Sequence, residues 1–175
     1  MLALHLLALL PLASALAITS PNPLAIAKRT VSYKTYTDPK QGNNDYCGEH
    51  NPNTSTTSSS PLAADCKVIA DTYTDFSISP TEAQKGYWTV DKSDFVSSSD
   101  GYVTLAKSGT CQFRIKDIKK ELDTVYFGAN DLRFYMRWAL LSPDSAGRVE
   151  AFGAVSCNAG KPGVSADFEY RVTHV

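Results

Sequence analysis

Apolar and polar positions change places along this chain with periods that mark out its elements. Over Val31 to Thr37, Val31, Tyr33 and Tyr36 alternate with polar residues, as a half-buried strand would. From Asp38 to Ser60 the pattern lapses into Asn, Ser, Thr and Pro, which predicts a long polar loop with Cys47 inside it. Ser60-Pro61 then marks a helix start, since Ser can cap free amides and Pro at the first helical position lacks only a donor that would have no partner there. Leu62, Cys66, Ile69, Ala70 and Tyr73 follow at helical spacing, and this helix should end before Pro80.

The middle of the chain turns to β-branched and aromatic residues. Tyr87 to Val90, Tyr102 to Leu105 and Gly109 to Ile115 read as consecutive antiparallel strands, the first two separated by a turn over Ser97 to Gly101. Val125 to Gly128 is a further short strand. Asn130 or Asp131 can cap a second helix running through Leu132, Tyr135, Met136, Ala139 and Leu140, and Pro143 closes it. Val149 to Cys157 and Phe168 to Val172 give two last strands. Strands and helices intermixed with hairpins predict an α+β fold: one domain, an antiparallel sheet packed against two helices.

The first 29 residues stand outside that domain. Leu2 to Leu12 is almost wholly apolar, too short to span a bilayer core, and runs into Ala15-Leu16-Ala17, a small-x-small cleavage pattern. Residues 1–17 are therefore read as a signal peptide cut after Ala17. Residues 18–29, with Pro21 and Pro23, end at Lys28-Arg29, a dibasic site of the kind that secretory processing proteases cut, which makes them a pro-segment and 30–175 the mature domain. No later stretch is long enough to cross a membrane, and the expected location is extracellular. Four cysteines, Cys47, Cys66, Cys111 and Cys157, all lie in the mature region, and an oxidising compartment uses them as two disulfides.

Charge narrows the partners. Of the 17 basic and 18 acidic residues, removal of Lys28 and Arg29 leaves a mature charge of −3 with His neutral. Nucleic-acid binding through counterion release needs clustered Lys and Arg. Arg114, Lys116, Lys119 and Lys120 are broken by Asp117 and followed by Glu121 and Asp123, so a solvated charged face is expected there.

A catalytic site is hard to assemble. The histidines are His5 in the leader, His50 in the polar loop and His174 near the end, and neither Cys-x-x-Cys nor His-x-x-x-His is present to hold zinc. No cofactor is expected. Asp65 and Asp131, each in a predicted first helical turn, are read as structural partners of the helix amides in preference to a glycosidase-type pair; Glu150, Asp167 and Glu169 fall on late strands. One enzyme alternative is a small secreted ribonuclease using Glu150, Arg171 and His174. A binding-module alternative would stack sugars on Tyr87, Trp88, Tyr102, Trp138 and Tyr170 if they shared an exposed face, but such aromatics are usually core, and Trp138 lies at helical spacing with Leu141 and near Phe134.

Several short stretches occur in one order: Tyr46-Cys47-Gly48, Ser60 to Cys66, Trp88, Ser108 to Phe113, Gly128-Ala129-Asn130-Asp131 and Gly153 to Cys157. This order resembles the fungal necrosis-inducing factor family, homologues of the secreted effector known as extracellular protein two, over Tyr46 to Cys157. Departures are the extra residue in Gly128-Ala129-Asn130-Asp131 and Arg114 after the Cys-x-Phe. The resemblance implies a secreted fungal effector that provokes plant cell death, or a relative turned against other microbes, with no catalytic residues to carry over. Its partner would be a host or competitor cell-surface component, and a monomer is expected.

Two modifications complete the reading. Asn53-Thr54-Ser55 is an N-glycosylation sequon in the polar loop, so a glycan is expected on Asn53. Four cysteines allow three pairings. Cys47–Cys66 with Cys111–Cys157 is favoured, tying the loop to the first helix and joining two strands of the sheet.

Overall fold

Antiparallel pairing builds two sheets where the sequence pattern suggested one. In the computed structural model the described residues are 31–35, 46–48, 50, 52–73, 86–119, 122–158 and 164–175. The expected cleavage point at Ala17 and the Lys28-Arg29 pair lie outside them.

The elements in chain order are β1 (Ser32–Thr35), β2 (Asn53–Thr54), α1 (Ala63–Thr72), β3 (Gly86–Asp91), α2 (Lys92–Ser97), β4 (Val103–Ser108), β5 (Cys111–Asp117), β6 (Thr124–Gly128), α3 (Ala129–Ala139), β7 (Ala151–Asn158) and β8 (Ser165–His174). β3 pairs with β1 and β6 in a three-stranded sheet; the five-stranded sheet has the order β2-β7-β8-β5-β4. The class is α+β in a single domain, with three helices among the described residues.

β3 and β4 are thus not partners, contrary to the sequence reading. The stretch between them does not simply turn, because α2 forms first. The Asp94 carboxylate accepts the Asp91 amide at 3.0 Å, Thr124 anchors the Asp91 side chain at 2.9 Å, and Phe95 is buried. Gly101, at φ 75°, then starts the chain into β4 in a backbone region that costs glycine little.

Burial follows the strand period. Cys111, Phe113, Ile115 and Asp117 of β5 and Ala166, Phe168, Tyr170 and Val172 of β8 face inward, and their neighbours face out. Phe127 of β6 meets Phe113 at 5.7 Å and Phe168 at 6.1 Å, so the two sheets touch through aromatic rings. α3 turns Leu132, Tyr135, Met136 and Ala139 into this core and packs beside α1.

Helix starts differ from expectation in instructive ways. α1 begins at Ala63, and Ser60 does not cap it; the buried Ser60 Oγ instead accepts the Thr57 amide at 2.8 Å and donates to Glu150 at 2.5 Å. Part of the predicted polar loop pairs as β2 with β7, through Asn53 opposite Phe152 and Thr54 opposite Ala151. The pattern missed β2 because two exposed polar residues show no apolar alternation.

Candidate functional site

Asp131 organises the end of the molecule where the first cysteine lies. It is buried, at 2% exposure, in the first turn of α3. Its carboxylate accepts the Gly128 amide at 3.1 Å, the Tyr46 amide at 2.8 Å and the Cys47 amide at 3.2 Å. One charge therefore satisfies a helix start and draws in a distant segment, as amides aimed at a carboxylate at a helix N-terminus do. The segment then runs along β7: the Gly48 amide donates to the Ser156 carbonyl at 3.0 Å, and the Tyr135 hydroxyl donates to the Gly48 carbonyl at 3.0 Å.

That placement decides the disulfides. Cys47 lies opposite Cys157 and is joined to it, and Cys66 on α1 is joined to Cys111 on β5. The favoured Cys47–Cys66 and Cys111–Cys157 pairing is therefore overturned. Proximity in sequence misled, because Asp131 pulls Cys47 towards β7 while Asp65 locks α1 onto the β4–β5 turn. The Asp65 carboxylate accepts the Thr110 amide at 2.8 Å and the Thr110 hydroxyl at 2.7 Å, and these bonds hold its pKa below the usual value. Gly109 in that turn, at φ 51°, leaves room for the carboxylate; a Cβ there would stand 2.4 Å from it.

Next to the Cys47 segment, α3 presents an aromatic face to solvent. Phe134, Trp138 and Leu141 fall along one stripe at exposures of 47%, 44% and 67%. The expectation that Trp138 is core is corrected by this geometry, since α3 points Leu132, Tyr135 and Met136 inward and leaves position 138 on the opposite side. Trp88, Tyr102 and Tyr170 are buried, as expected. The His50 ring packs against Tyr135 at 4.4 Å, Phe134 at 5.3 Å and Trp138 at 5.9 Å, and burial pulls its pKa below the ordinary value. Its Nδ1 lies 3.3 Å from the Tyr170 hydroxyl. Tyr170 itself needs the bare backbone of Gly153 above it, because a Cβ there would meet the ring at 2.8 Å.

The outer face of the five-stranded sheet carries the charges. Tyr102 is encircled by Arg171 at 4.8 Å, Arg114 at 5.1 Å and Lys116 at 5.4 Å, and its hydroxyl donates to Glu169. Burial pushes the Tyr102 pKa up to about 12. Arg114 forks onto Asp100 at 2.8 and 2.9 Å, and Lys119 pairs with Asp167 at 2.6 Å. The basic stretch is thus threaded with acids; Lys120 lies outside the described residues.

An open cleft of about 410 Å³ runs beside this network, between the chain after β2 and strands β7 and β8. Glu150, Arg171 and His174 all line it, so the structure brings together the three residues of the ribonuclease alternative. Each is engaged elsewhere. Glu150 takes the Ser60 hydroxyl, Arg171 donates twice to Glu169 at 3.0 and 2.8 Å, and His174 Nδ1 lies 2.9 Å from the Val175 carbonyl. Among the described residues no group of three His, Cys, Asp or Glu could hold a metal ion, and no helix is long and apolar enough to cross a membrane.

The described residues form a disulfide-braced α+β domain whose first-turn aspartates hold distant segments together and whose aromatics Phe134 and Trp138 break the surface along one helix. The Hce2 family model, described as "pathogen effector; putative necrosis-inducing factor", matches residues 46–157, and the chain belongs to that family. No curated protein matches the chain. The matched span opens at the Asp131-bound Tyr46 and closes at Cys157, so the Cys47–Cys157 disulfide ties its two ends together.

Proposed function

We propose that this chain is a secreted fungal effector that acts on host plant or competitor cells by surface contact and without catalysis. Membership of the pathogen-effector family carries the reading. In it, residues 1–17 direct export, 18–29 are removed after Lys28-Arg29, and the extracellular domain 30–175 works as a monomer that binds no nucleic acid. The contact is made by Phe134 and Trp138 of α3 with Leu141 just after it, whose exposed apolar area would be covered by a cell-surface component of the target.

Two features support contact over chemistry. Asp65 and Asp131, the acids a glycosidase-type pair would have used, are occupied with backbone amides. Glu150, Arg171 and His174 are each committed to a neighbour. Infiltration of purified oxidised protein into susceptible leaves, with growth assays on other fungi beside it, tests the reading: cell death or growth arrest is expected. Inertness in both assays, with hydrolysis of RNA or glycan, would contradict it.

A further inference from the structure

The sequon and the cleft, unconnected in sequence terms, meet on one face of the five-stranded sheet. Asn53 stands directly opposite Phe152 in the antiparallel register of β2 and β7, and directly opposed residues project on the same side. Their Cβ atoms are then roughly 5 Å apart. Asn53 is exposed on the edge strand, and Phe152 is 37% exposed although it is a large apolar ring. Ser55, the hydroxyl residue of the sequon, lines the cleft together with Phe152, Arg171 and Thr173. Arg171 is in turn opposite Phe152 on β8, so it lies two strand spacings from Asn53, about 10 Å.

We infer that the cleft is the seat of the protein's own N-linked glycan: Asn53 is the modified residue, the first sugar stacks on Phe152, and the second reaches the Thr173 hydroxyl and the Arg171 guanidinium. The carbon-bearing face of a pyranose ring is apolar and packs on the face of a phenyl ring, which accounts for a phenylalanine exposed beside polar neighbours. A sugar chain also suits the rest of the lining, which offers hydroxyl, carboxylate and guanidinium groups along one open trough. A glycan seated there would cover Glu150 and Arg171. The inference rests on the secretion in the reading above, since only the export pathway presents Asn53 to the glycosylation machinery.

The full chain secreted from a fungal host, with Asn53→Gln, Phe152→Ala and the double variant, provides the test. Intact mass should show one glycan, absent from Asn53→Gln. Phe152→Ala should lower the Tm by about 2–4 °C when Asn53 is glycosylated and by clearly less when it is not, and should speed release of the glycan by an endoglycosidase severalfold. Asn53 found bare in protein recovered from the medium overturns this inference alone. An equal effect of Phe152→Ala with and without the glycan overturns the docking. A chain that never leaves the cell overturns both this inference and the secretion beneath it.

Discussion

Removal of the Asp131 carboxylate is the sharpest perturbation of the fold. In Asp131→Ala the amides of Gly128, Tyr46 and Cys47 lose their acceptor, and the first of these bonds is buried. A hydrogen bond to a charged group contributes about 1.5–3 kcal/mol, and a buried donor left without a partner costs about 1–3 kcal/mol. Water can reach the two part-buried amides once the segment loosens, which keeps the total below three full bonds. The expected loss is about 3–5 kcal/mol, one buried and two partly recovered bonds to a charged acceptor. Against a total stability of ~5–15 kcal/mol this is a large fraction. Asp131→Asn keeps one acceptor oxygen but turns an NH2 towards donors, so it should fall between alanine and wild type. Urea unfolding of the oxidised proteins at pH 7 measures the differences. Asp131→Ala within about 1 kcal/mol of wild type would refute the claim that this carboxylate holds the Cys47 segment to α3.

Three further outcomes follow from the same contacts. Non-reducing peptide mapping should find Cys47 with Cys157 and Cys66 with Cys111; at separations of 110 and 45 residues, loss of the bridges by Cys→Ser pairs should cost about 5 and about 4 kcal/mol in the chain-entropy model. Gly153→Ala should destabilise the protein by about 1–3 kcal/mol by forcing a Cβ into the Tyr170 ring, and should shift the ring-current signals of His50, whose Nδ1 lies against the Tyr170 hydroxyl. Asp100 is held below its ordinary pKa of 3.8 first of all by the Arg114 hydrogen bonds, so the unfolded chain binds more protons than the folded one between the two values; the stability it contributes is complete above that pH and is lost as pH falls below about 4, and Asp100→Asn should flatten this acid limb in pH-dependent denaturation.

What the sequence revealed and what it hid divide along physical lines. Positions with a strong period were legible: Leu132, Tyr135, Met136 and Ala139, placed at helical spacing, lie buried on one side of α3, and the β-branched and aromatic content of Gly109 to Ile115 marked the strand β5. Asp65 and Asp131 were legible as structural acids, but their partners were not, because Thr110 and Tyr46 are 45 and 85 residues away. The same long-range pull inverted the disulfide pairing. β3 was assigned the wrong neighbour because strand pattern says nothing of which edge a strand joins, and Asp91-x-x-Asp94, a helix-start signal with aspartate in both places, hid α2. Trp138 was misread since an aromatic at helical spacing looks alike on either face of a helix. Glu150, Arg171 and His174 were grouped from the sequence as a candidate set, but nothing along the chain joined Ser55 or Phe152 to them; the β2–β7–β8 order does.

The proposed action by contact and not catalysis is tested most directly by comparing two variants of the mature protein in one leaf-infiltration assay. Trp138→Ser removes an exposed ring from α3, and Glu150→Gln with His174→Ala removes two of the three groups that could run phosphodiester chemistry in the cleft. With circular dichroism confirming that both are folded, the account predicts that the double variant kills as wild type does and that Trp138→Ser loses at least tenfold in potency. A potent Trp138→Ser protein beside an inert, folded Glu150→Gln/His174→Ala protein would contradict it.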